Sequence, residues 1–200
     1  MSGSEPGTFD RIASPYDRGM APLEKLWLRR MRARLLPWAH GRVLEVGVGT
    51  GVNLPLYPDG VSVAAIDESA EMLVVAQQRA RRHVHLARME AERLAFPDGI
   101  FETVVTSLVL CSVVEPERAL GELRRVLSPR GGRLLLLEHM RPWNRPLALL
   151  VDLANVPWYA FNGRCHLNRR TQDAVAAAGF SIEHVEGAVG GFLRLIVATC

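Results

Sequence analysis

The chain has 200 residues, of which 48% are hydrophobic and 22% are charged, with a formal net charge of +3. These values fit one globular domain with a full-sized core. No apolar run approaches the roughly 18 residues of a membrane span, and no secretory signal opens the chain, so we expect a cytoplasmic protein.

The three cysteines, Cys111, Cys165 and Cys200, lie far apart in sequence and form no C-x-x-C pair. Their spacing predicts neither a disulfide nor a zinc site, so we expect no metal. Basic and aromatic residues are not interleaved in a strip, which argues against nucleic acid as a partner. A monomer and a homodimer are both compatible with the sequence.

An N-terminal segment precedes the first predicted strand. We expect residues 1–8 to be disordered because they are small and polar, and residues 22–38 to form a helix. Its apolar face would hold Leu23, Leu26, Trp27, Met31, Leu35 and Trp38, and Arg29, Arg30, Arg32 and Arg34 would occupy the rest. Such a helix either rests peripherally on anionic lipid at the inner membrane face or packs on the domain with a solvated arginine face.

Residues 43–51 (VLEVGVGTG) predict a buried strand that ends in a tight glycine turn. Gly47 and Gly49 allow the backbone to come close to a ligand. A dinucleotide fingerprint would place its last glycine where this chain has Val52. The carboxylate of Glu45 would repel a phosphate and suits a ligand with a charged amino group, such as S-adenosylmethionine. A purely structural glycine turn is the alternative.

A second buried strand is predicted over residues 61–66, after a short helix at 53–57, and it ends at Asp67. An acid in this place can accept hydrogen bonds from both hydroxyls of a ribose. The same residues also fit a turn in which Ser69 caps the next helix, and the two functions can coexist.

The remaining chain alternates strands with helices. Strands are predicted over 83–89, 101–110 and 133–137, and a helix over 116–127. This alternation predicts an α/β fold with a doubly wound, mostly parallel sheet. A last helix, capped by Thr171 and ending at Gly179, precedes two strands (181–185 and 192–199) that we expect to pair antiparallel, for about seven strands in all.

Ligands of such sheets bind outside the carboxyl ends of the strands. We therefore expect one crevice to collect residues 47–51, Asp67, Glu90, residues 107–111, Glu138 and His139. Residues 140–170 look irregular, with a helix over 147–156, and should cover the substrate. The single domain thus comprises an N-terminal cap (1–40), a donor-binding core (41–139), the cover (140–170) and a C-terminal helix with a strand pair (171–200).

Over residues 9–199 the chain resembles class I S-adenosylmethionine-dependent methyltransferases, which have a Rossmann-like fold. Residues 9–17 resemble an N-terminal signature that folds over the donor, residues 43–51 and 67–73 the first two motifs, and residues 91–98 the segment beside the adenine. The nearest subset joins quinone-biosynthesis C-methyltransferases, phospholipid N-methyltransferases and thiol methyltransferase-like proteins. Residues 107–113 and 162–171 are most similar to the thiol methyltransferase-like branch.

The resemblance implies that the chain binds S-adenosylmethionine and releases S-adenosylhomocysteine. The donor-binding residues that it implies are Tyr16, Glu45, Gly47, Gly49, Asn53, Asp67, Glu68, Met72, Glu90, Ala91 and Ser107. Asn53 would approach the methionine carboxylate, and Glu68 and Met72 would flank the adenine. Glu90 replaces the usual aspartate, so the adenine amino contact falls either to Glu90 or to the backbone of Ala91.

Methyl transfer from a sulfonium is an in-line displacement that depends mainly on positioning. An amine or thiol acceptor must lose a proton, and His139 is the first candidate base, with Tyr16 orienting the acceptor or the methyl group. A buried, structurally satisfied histidine is the alternative for His139. His166 is a second candidate base, and Cys111 is expected to line the pocket as a small hydrophobe.

The expected function is methyl transfer to a small or lipid-like acceptor. A hydrophobic small molecule or thiol ranks first, a phospholipid headgroup such as phosphatidylethanolamine second, and a quinone precursor third. The apolar cover and the basic first helix motivate the first two. A donor-binding protein without catalysis, and an enzyme using NAD or a nucleotide sugar, are alternatives from other classes.

Overall fold

The computed structural model describes residues 8–200, with side chains for residues 16–161 and 163–200. The expectation of disorder over residues 1–8 lies outside the described residues, apart from Thr8, which begins the first helix.

Seven strands form one sheet. They are β1 (Arg42–Val46), β2 (Ser62–Asp67), β3 (Val84–Arg88), β4 (Thr103–Ser107), β5 (Arg133–His139), β6 (Ser181–Ala188) and β7 (Leu193–Thr199). Their order is β3-β2-β1-β4-β5-β7-β6. Strands β1 to β5 are parallel, whereas β7 runs antiparallel to both β5 and β6. The predicted Rossmann-like sheet of about seven strands with an antiparallel C-terminal pair is therefore confirmed.

The helices cover both faces of this sheet. They are α1 (Thr8–Leu23), a π-helical turn (Glu24–Leu28), α2 (Arg29–Leu35), α3 (Ala70–Gln77), α4 (Pro116–Val126), α5 (Arg145–Asn162) and α6 (Thr171–Ala177), with 3₁₀ turns at Leu36–Trp38, Leu54–Leu56 and Val189–Gly191. Among the described residues, no helix is both long enough and apolar enough to cross a membrane.

The sheet divides the core into two apolar layers because successive strand side chains point to opposite faces. Leu44 of β1 belongs to the layer that contains Leu120 of α4 and Val175 of α6. Its neighbour Val43 belongs to the layer that contains Leu35 of α2 and Ala76 of α3. Since both faces are covered, the parallel strands are buried on both sides, as their continuous apolar sequences predict.

The apolar face predicted for the N-terminal helix is partly wrong. Leu26 and Trp27 are 67% and 42% exposed, whereas Leu28 is fully buried. The π-helical turn inserts one residue into the helical repeat and so rotates the following side chains by about 100°. Met31 and Leu35 consequently face the core, as predicted, while Leu26 and Trp27 do not.

Several element boundaries also differ from the sequence-based expectations: the N-terminal helix begins at Thr8, β6 extends to Ala188, and three others have a local cause. Strand β4 ends at Ser107, because Leu108 adopts a positive φ of 59° that no strand accommodates. Thr171 is the first residue of α6 and not its cap, since Arg170 occupies the N-cap position without a side-chain bond. Helix α5 is longer than the predicted helix because Asn144 caps it, accepting a hydrogen bond from the backbone N–H of Leu147.

Candidate active site

A cavity opens at the carboxyl ends of β1, β2 and β4, which finish level with one another because Val46 pairs with both Ile66 and Thr106. The empty space within it, counted together with open solvent at its mouth, is about 890 Å³. The predicted donor-binding residues that line it are Tyr16, Glu45, Gly47, Gly49, Asn53, Asp67, Glu68, Met72, Ala91 and Ser107. Glu45 and Asp67 thus share one cavity.

Glu90 is the predicted donor-binding residue that the structure does not bring to the cavity. Its side chain is exposed, and Met89, Ala91 and Glu92 line the wall in its place. Leu110, Cys111, Glu138 and His139, which were also expected in the crevice, lie outside the cavity lining.

The glycine turn has the conformation that its sequence predicts. Gly47 and Gly49 have positive φ values of 69° and 54°. A Cβ atom at Gly47 would lie 2.3 Å from Cγ2 of Val109, whereas one at Gly49 would meet no atom within 4 Å. Gly47 is therefore required for close packing, and Gly49 keeps the cavity wall free of a side chain.

Glu45 lies at the bottom of the cavity and is only 1% exposed. Its Oε1 accepts a hydrogen bond from Asn53 Nδ2 at 2.7 Å, and its Oε2 accepts one from the Tyr57 hydroxyl at 3.0 Å. Burial raises the pKa of Glu45 to about 7, outweighing the lowering effect of these bonds. An ammonium group bound in the cavity would favour the ionised form of this carboxyl.

Arg32 is a cavity residue that the sequence analysis placed on a solvated face. It is 5% exposed, donates a hydrogen bond to Asn53 Oδ1 at 2.6 Å and forms an ion pair with Glu24 at 3.2 Å. The π-helical turn that precedes it rotates it inward, and the helical pattern gave no signal of this. Asn53, for its part, directs its amide N–H groups to Glu45 and to Ser107 Oγ, at 2.7 and 3.1 Å.

Asp67 organises the turn that surrounds the expected ribose position. Its Oδ2 accepts a hydrogen bond from Gly49 N at 2.8 Å, and its Oδ1 accepts one from Ser69 N at 2.9 Å. Ser69 Oγ in turn accepts from Met72 N at 3.1 Å, so the predicted helix cap is confirmed. The carboxylate of Asp67 lines the cavity, where a ligand hydroxyl can donate a hydrogen bond to it.

The N-terminal helix lies against the cavity. Asp17 accepts hydrogen bonds from Thr50 Oγ1 at 2.7 Å and from Arg79 Nη2 at 2.6 Å, which fastens α1 to the glycine turn and to the chain after α3. Tyr16 lines the cavity, and burial raises its pKa to about 12, so its phenol is protonated at neutral pH. The N-terminal signature also includes Phe9, Ile12 and Ala13, whose side chains are not among those that the structure describes.

The cover segment reaches the cavity through Arg164, another residue that the sequence analysis missed. Its guanidinium forms an ion pair with Glu68 across the cavity mouth. The guanidinium of Arg169 donates a hydrogen bond to the carbonyl oxygen of Val113 at 2.8 Å. The backbone N–H of His166 donates one to the carbonyl oxygen of Cys111 at 2.9 Å. These bonds hold the cover against the loop that follows β4.

The same loop is held from below by Glu138, which is fully buried. Its Oε1 accepts hydrogen bonds from the backbone N–H groups of Val109 and Leu110 at 2.8 and 3.0 Å. Burial raises the pKa of Glu138. The positive φ of Leu108 turns these two N–H groups toward the carboxyl, so Glu138 supports the loop instead of lining the cavity.

His139 was the first candidate base. Its Nε2 lies 3.2 Å from Cys165 Sγ, its ring stacks on Phe192 with centroids 5.4 Å apart, and Nδ1 has no hydrogen-bond partner among the described residues. Cys111 Sγ belongs to the same group. Two cysteines that the sequence analysis treated as unrelated therefore meet at His139, while the second candidate base, His166, stacks on Tyr159.

Comparison with known proteins gives consistent likenesses. Residues 44–136 match the family described as Methyltransferase domain. The chain is 32% identical over 189 residues to the human thiol S-methyltransferase TMT1A, covering 88% of this chain and 76% of the relative. It is 42% identical over 125 residues to phosphatidylethanolamine N-methyltransferase of Cereibacter sphaeroides. This alignment covers 60% of this chain and 61% of the relative, so the chain spans less than two thirds of that relative's length.

A solved S-adenosylmethionine-dependent methyltransferase from Thermotoga maritima has the same fold. Its TM-score with this chain is 0.74 at 24% sequence identity, and the superposition covers 96% of this chain and 98% of that one.

Proposed function

This chain belongs to the class I S-adenosylmethionine-dependent methyltransferases, and on that premise we propose that its methyl acceptor is a hydrophobic thiol. S-adenosylmethionine is the cofactor of this family, and S-adenosylhomocysteine is the product it leaves. Family membership excludes the alternatives of an enzyme using NAD or a nucleotide sugar.

The observation that carries the proposal is the extent of the two likenesses. The similarity to a thiol S-methyltransferase covers 88% of the chain and so extends well beyond the donor-binding core, whereas the similarity to the phosphatidylethanolamine enzyme covers 60%. Most residues that line the donor cavity lie between 45 and 113, so the segments outside this region are where acceptor specificity can differ within one fold. A phospholipid headgroup is the second candidate, and a quinone precursor the third.

The donor would lie with its amino-acid end at the bottom of the cavity. Its ammonium would meet Glu45, and its carboxylate would meet the Arg32 guanidinium, which is buried in the cavity wall beside Asn53. Its ribose hydroxyls would donate to the carboxylate of Asp67, which lines the cavity and is held in place by the backbone N–H groups of Gly49 and Ser69. A buried guanidinium beside a buried carboxyl suits a zwitterionic ligand end.

The adenine would lie at the other end of the cavity, where Glu68, Met72 and the backbone of Ala91 line the wall. The methyl group would then point toward Tyr16, which we propose orients the acceptor. A protonated phenol can donate one hydrogen bond and accept another, so Tyr16 can position an acceptor sulfur without removing its proton.

Turnover of labelled S-adenosylmethionine with a panel of acceptors tests this proposal. We expect methyl transfer to hydrophobic alkyl and aryl thiols, and none to the matching alcohols. The matched alcohols serve as the control because they have the same shape and a poorer nucleophile. Transfer to phosphatidylethanolamine vesicles or to a demethylated quinone, with none to any thiol, would overturn the thiol assignment.

We also propose a peripheral membrane contact through the N-terminal helix, which would bring a hydrophobic acceptor close to the enzyme. Leu26 and Trp27 are exposed there, although they are apolar, and Lys25, Arg29 and Arg30 are exposed around them. Exposed apolar side chains among cations are typical of helices that lie on anionic lipid. A second exposed apolar surface lies on α5, at Leu149, Leu150, Leu153, Val156 and Phe161.

Co-sedimentation with vesicles that contain anionic lipid tests the contact. The double variant Leu26→Ser/Trp27→Ser should lose vesicle binding, and Leu153→Ser on α5 should keep it. If the double variant bound vesicles like the wild type, the N-terminal helix would not be the membrane contact. If only Leu153→Ser lost binding, the membrane contact would lie on α5.

A further inference from the structure

Two cysteines and one histidine that are remote in sequence meet beside the donor cavity. Cys111 lies in the loop after β4, His139 is the last residue of β5, and Cys165 belongs to the cover. Their two Sγ atoms and one imidazole nitrogen lie within 4.8 Å of one another, with His139 Nε2 3.2 Å from Cys165 Sγ. Within the described part of the chain, this is the group of side chains that could hold a metal ion.

We propose that Cys111, His139 and Cys165 bind a zinc ion with an open fourth position. Two thiolates and an imidazole are the soft donors that zinc prefers, and they disfavour magnesium and calcium, which take oxygen ligands. In a tetrahedral site two zinc-bound sulfurs are about 3.8 Å apart, and a sulfur and a nitrogen about 3.6 Å, as the bond lengths require. The observed separations allow this geometry after small side-chain movements.

The number of protein donors distinguishes the kind of site. Structural zinc sites are closed by four protein ligands, whereas catalytic sites have three and leave one position for water or substrate. The described residues supply three donors here. An ion held by them would therefore have one coordination position available for a small molecule.

The position of the group also favours a role in catalysis. Cys111 Sγ lies 3.5 Å from the carbonyl oxygen of Leu108 and 3.4 Å from Ser112 Oγ, and Leu108 and Ser112 both line the donor cavity. The ion would therefore sit directly beside the cavity that holds the donor.

The open position suits the sulfur of the acceptor, an inference that rests on the proposed thiol acceptor. A free thiol has a pKa of about 8.5 and is mostly protonated at neutral pH. Coordination to zinc releases that proton to solvent and leaves a thiolate. His139 would then be a metal ligand and not the general base that the sequence predicts.

The transfer step balances without any other reactant. A lone pair of the bound thiolate forms a bond to the methyl carbon, and the bond between that carbon and the sulfonium sulfur breaks. The electron pair of the broken bond stays on the sulfur of S-adenosylhomocysteine. The product is a neutral thioether, which binds zinc more weakly than a thiolate and leaves the open position.

Metal analysis of the full chain, purified under reducing conditions from zinc-supplied cells, tests the site. We expect about one zinc per chain, and after exchange for cobalt an absorption band from thiolate-to-cobalt charge transfer. Cys111→Ser, Cys165→Ser and His139→Ala should each lose the metal and the band. Cys200→Ser is the matched control and should retain both, because Cys200 lies outside the group.

Calorimetry with S-adenosylhomocysteine identifies variants that fail to fold, since a folded variant keeps its donor affinity. A zinc-free wild type, or variants that fold and keep their zinc, would overturn the site. If zinc binds but no thiol changes the cobalt spectrum or is methylated, the proposed acceptor fails while the metal site stands. If metal-free enzyme methylates thiols at the full rate, the role of the ion fails while the acceptor stands.

Discussion

Replacing Asp67 by alanine should weaken the binding of S-adenosylhomocysteine. In the structure each carboxylate oxygen of Asp67 already accepts one backbone N–H, from Gly49 at 2.8 Å and from Ser69 at 2.9 Å. These bonds fix the carboxylate in place at the cavity wall, where it is only 8% exposed. Because this carboxylate lines the cavity, a ribose hydroxyl of the ligand can donate a hydrogen bond to it.

The magnitude follows from the charge of the acceptor and the access of water. Removing a hydrogen bond to a charged group costs about 1.5–3 kcal/mol. Two hydroxyls are affected, but without Asp67 they can turn to water in the open cavity, so we take the range for a single charged bond. This corresponds to a loss of about 10-fold to 150-fold in affinity.

Calorimetry on the wild type and Asp67→Ala, with S-adenosylhomocysteine and with its 2′-deoxyribose analogue, separates the ribose contact from a loosened turn. The wild type should prefer the ribose ligand, and Asp67→Ala should lose that preference. Asp59→Ala, in an exposed turn, is the matched control and should bind like the wild type. Unchanged affinity in Asp67→Ala, or an unchanged preference for the ribose ligand, would remove Asp67 from the donor site.

Three further predictions concern the turn and the bottom of the cavity. Gly47→Ala should destabilise the protein by about 2–5 kcal/mol, because the new methyl group would overlap Val109 and the residue has a positive φ. Gly49→Ala should cost only about 1–2 kcal/mol, because its methyl group would meet no other atom. Equal losses of stability in chemical unfolding would contradict this prediction. Because burial raises the pKa of Glu45 from 4.5 to about 7, the folded apoprotein retains a proton that the unfolded chain loses. Its free energy of unfolding should therefore fall by about 3 kcal/mol as pH rises from about 4.5 through 7. In urea titrations, the stability of Glu45→Gln should depend less on pH than that of the wild type. If the stabilities of the two proteins changed in parallel with pH, the raised pKa of Glu45 would be refuted. Arg32→Gln should weaken S-adenosylhomocysteine by about 10-fold to 150-fold, while leaving unchanged the binding of an adenine nucleoside that lacks the amino-acid end; an equal effect on both ligands would exclude a carboxylate contact.

The strand ends and the glycine turn could be predicted because short stretches of sequence encode them. The apolar run before Gly47 favours a buried strand, and the glycines that follow allow the positive φ that a tight turn needs. Asp67 could be placed at the end of the neighbouring strand β2 in the same way, because it directly follows an apolar run. Parallel strands place their carboxyl ends at one edge, so knowledge of the strands was enough to bring Glu45 and Asp67 to one cavity.

The phase of the N-terminal helix could not be predicted in this way. A single extra residue in the π-helical turn exposes Leu26 and Trp27 and turns Arg32 into the cavity. Helical periodicity predicts a face only while the repeat stays unbroken, and the residues of this turn carry no recognisable signal of the insertion.

By itself the sequence determined the individual strands, the glycine turn and the acids near two strand ends, because each depends mainly on residues close together in the chain. The tertiary structure alone decided that Cys111, His139 and Cys165 would meet, and that Arg164 would reach Glu68. These contacts depend on how the cover folds back over the loop after β4. That path is set by packing between segments far apart in sequence, which no local pattern records.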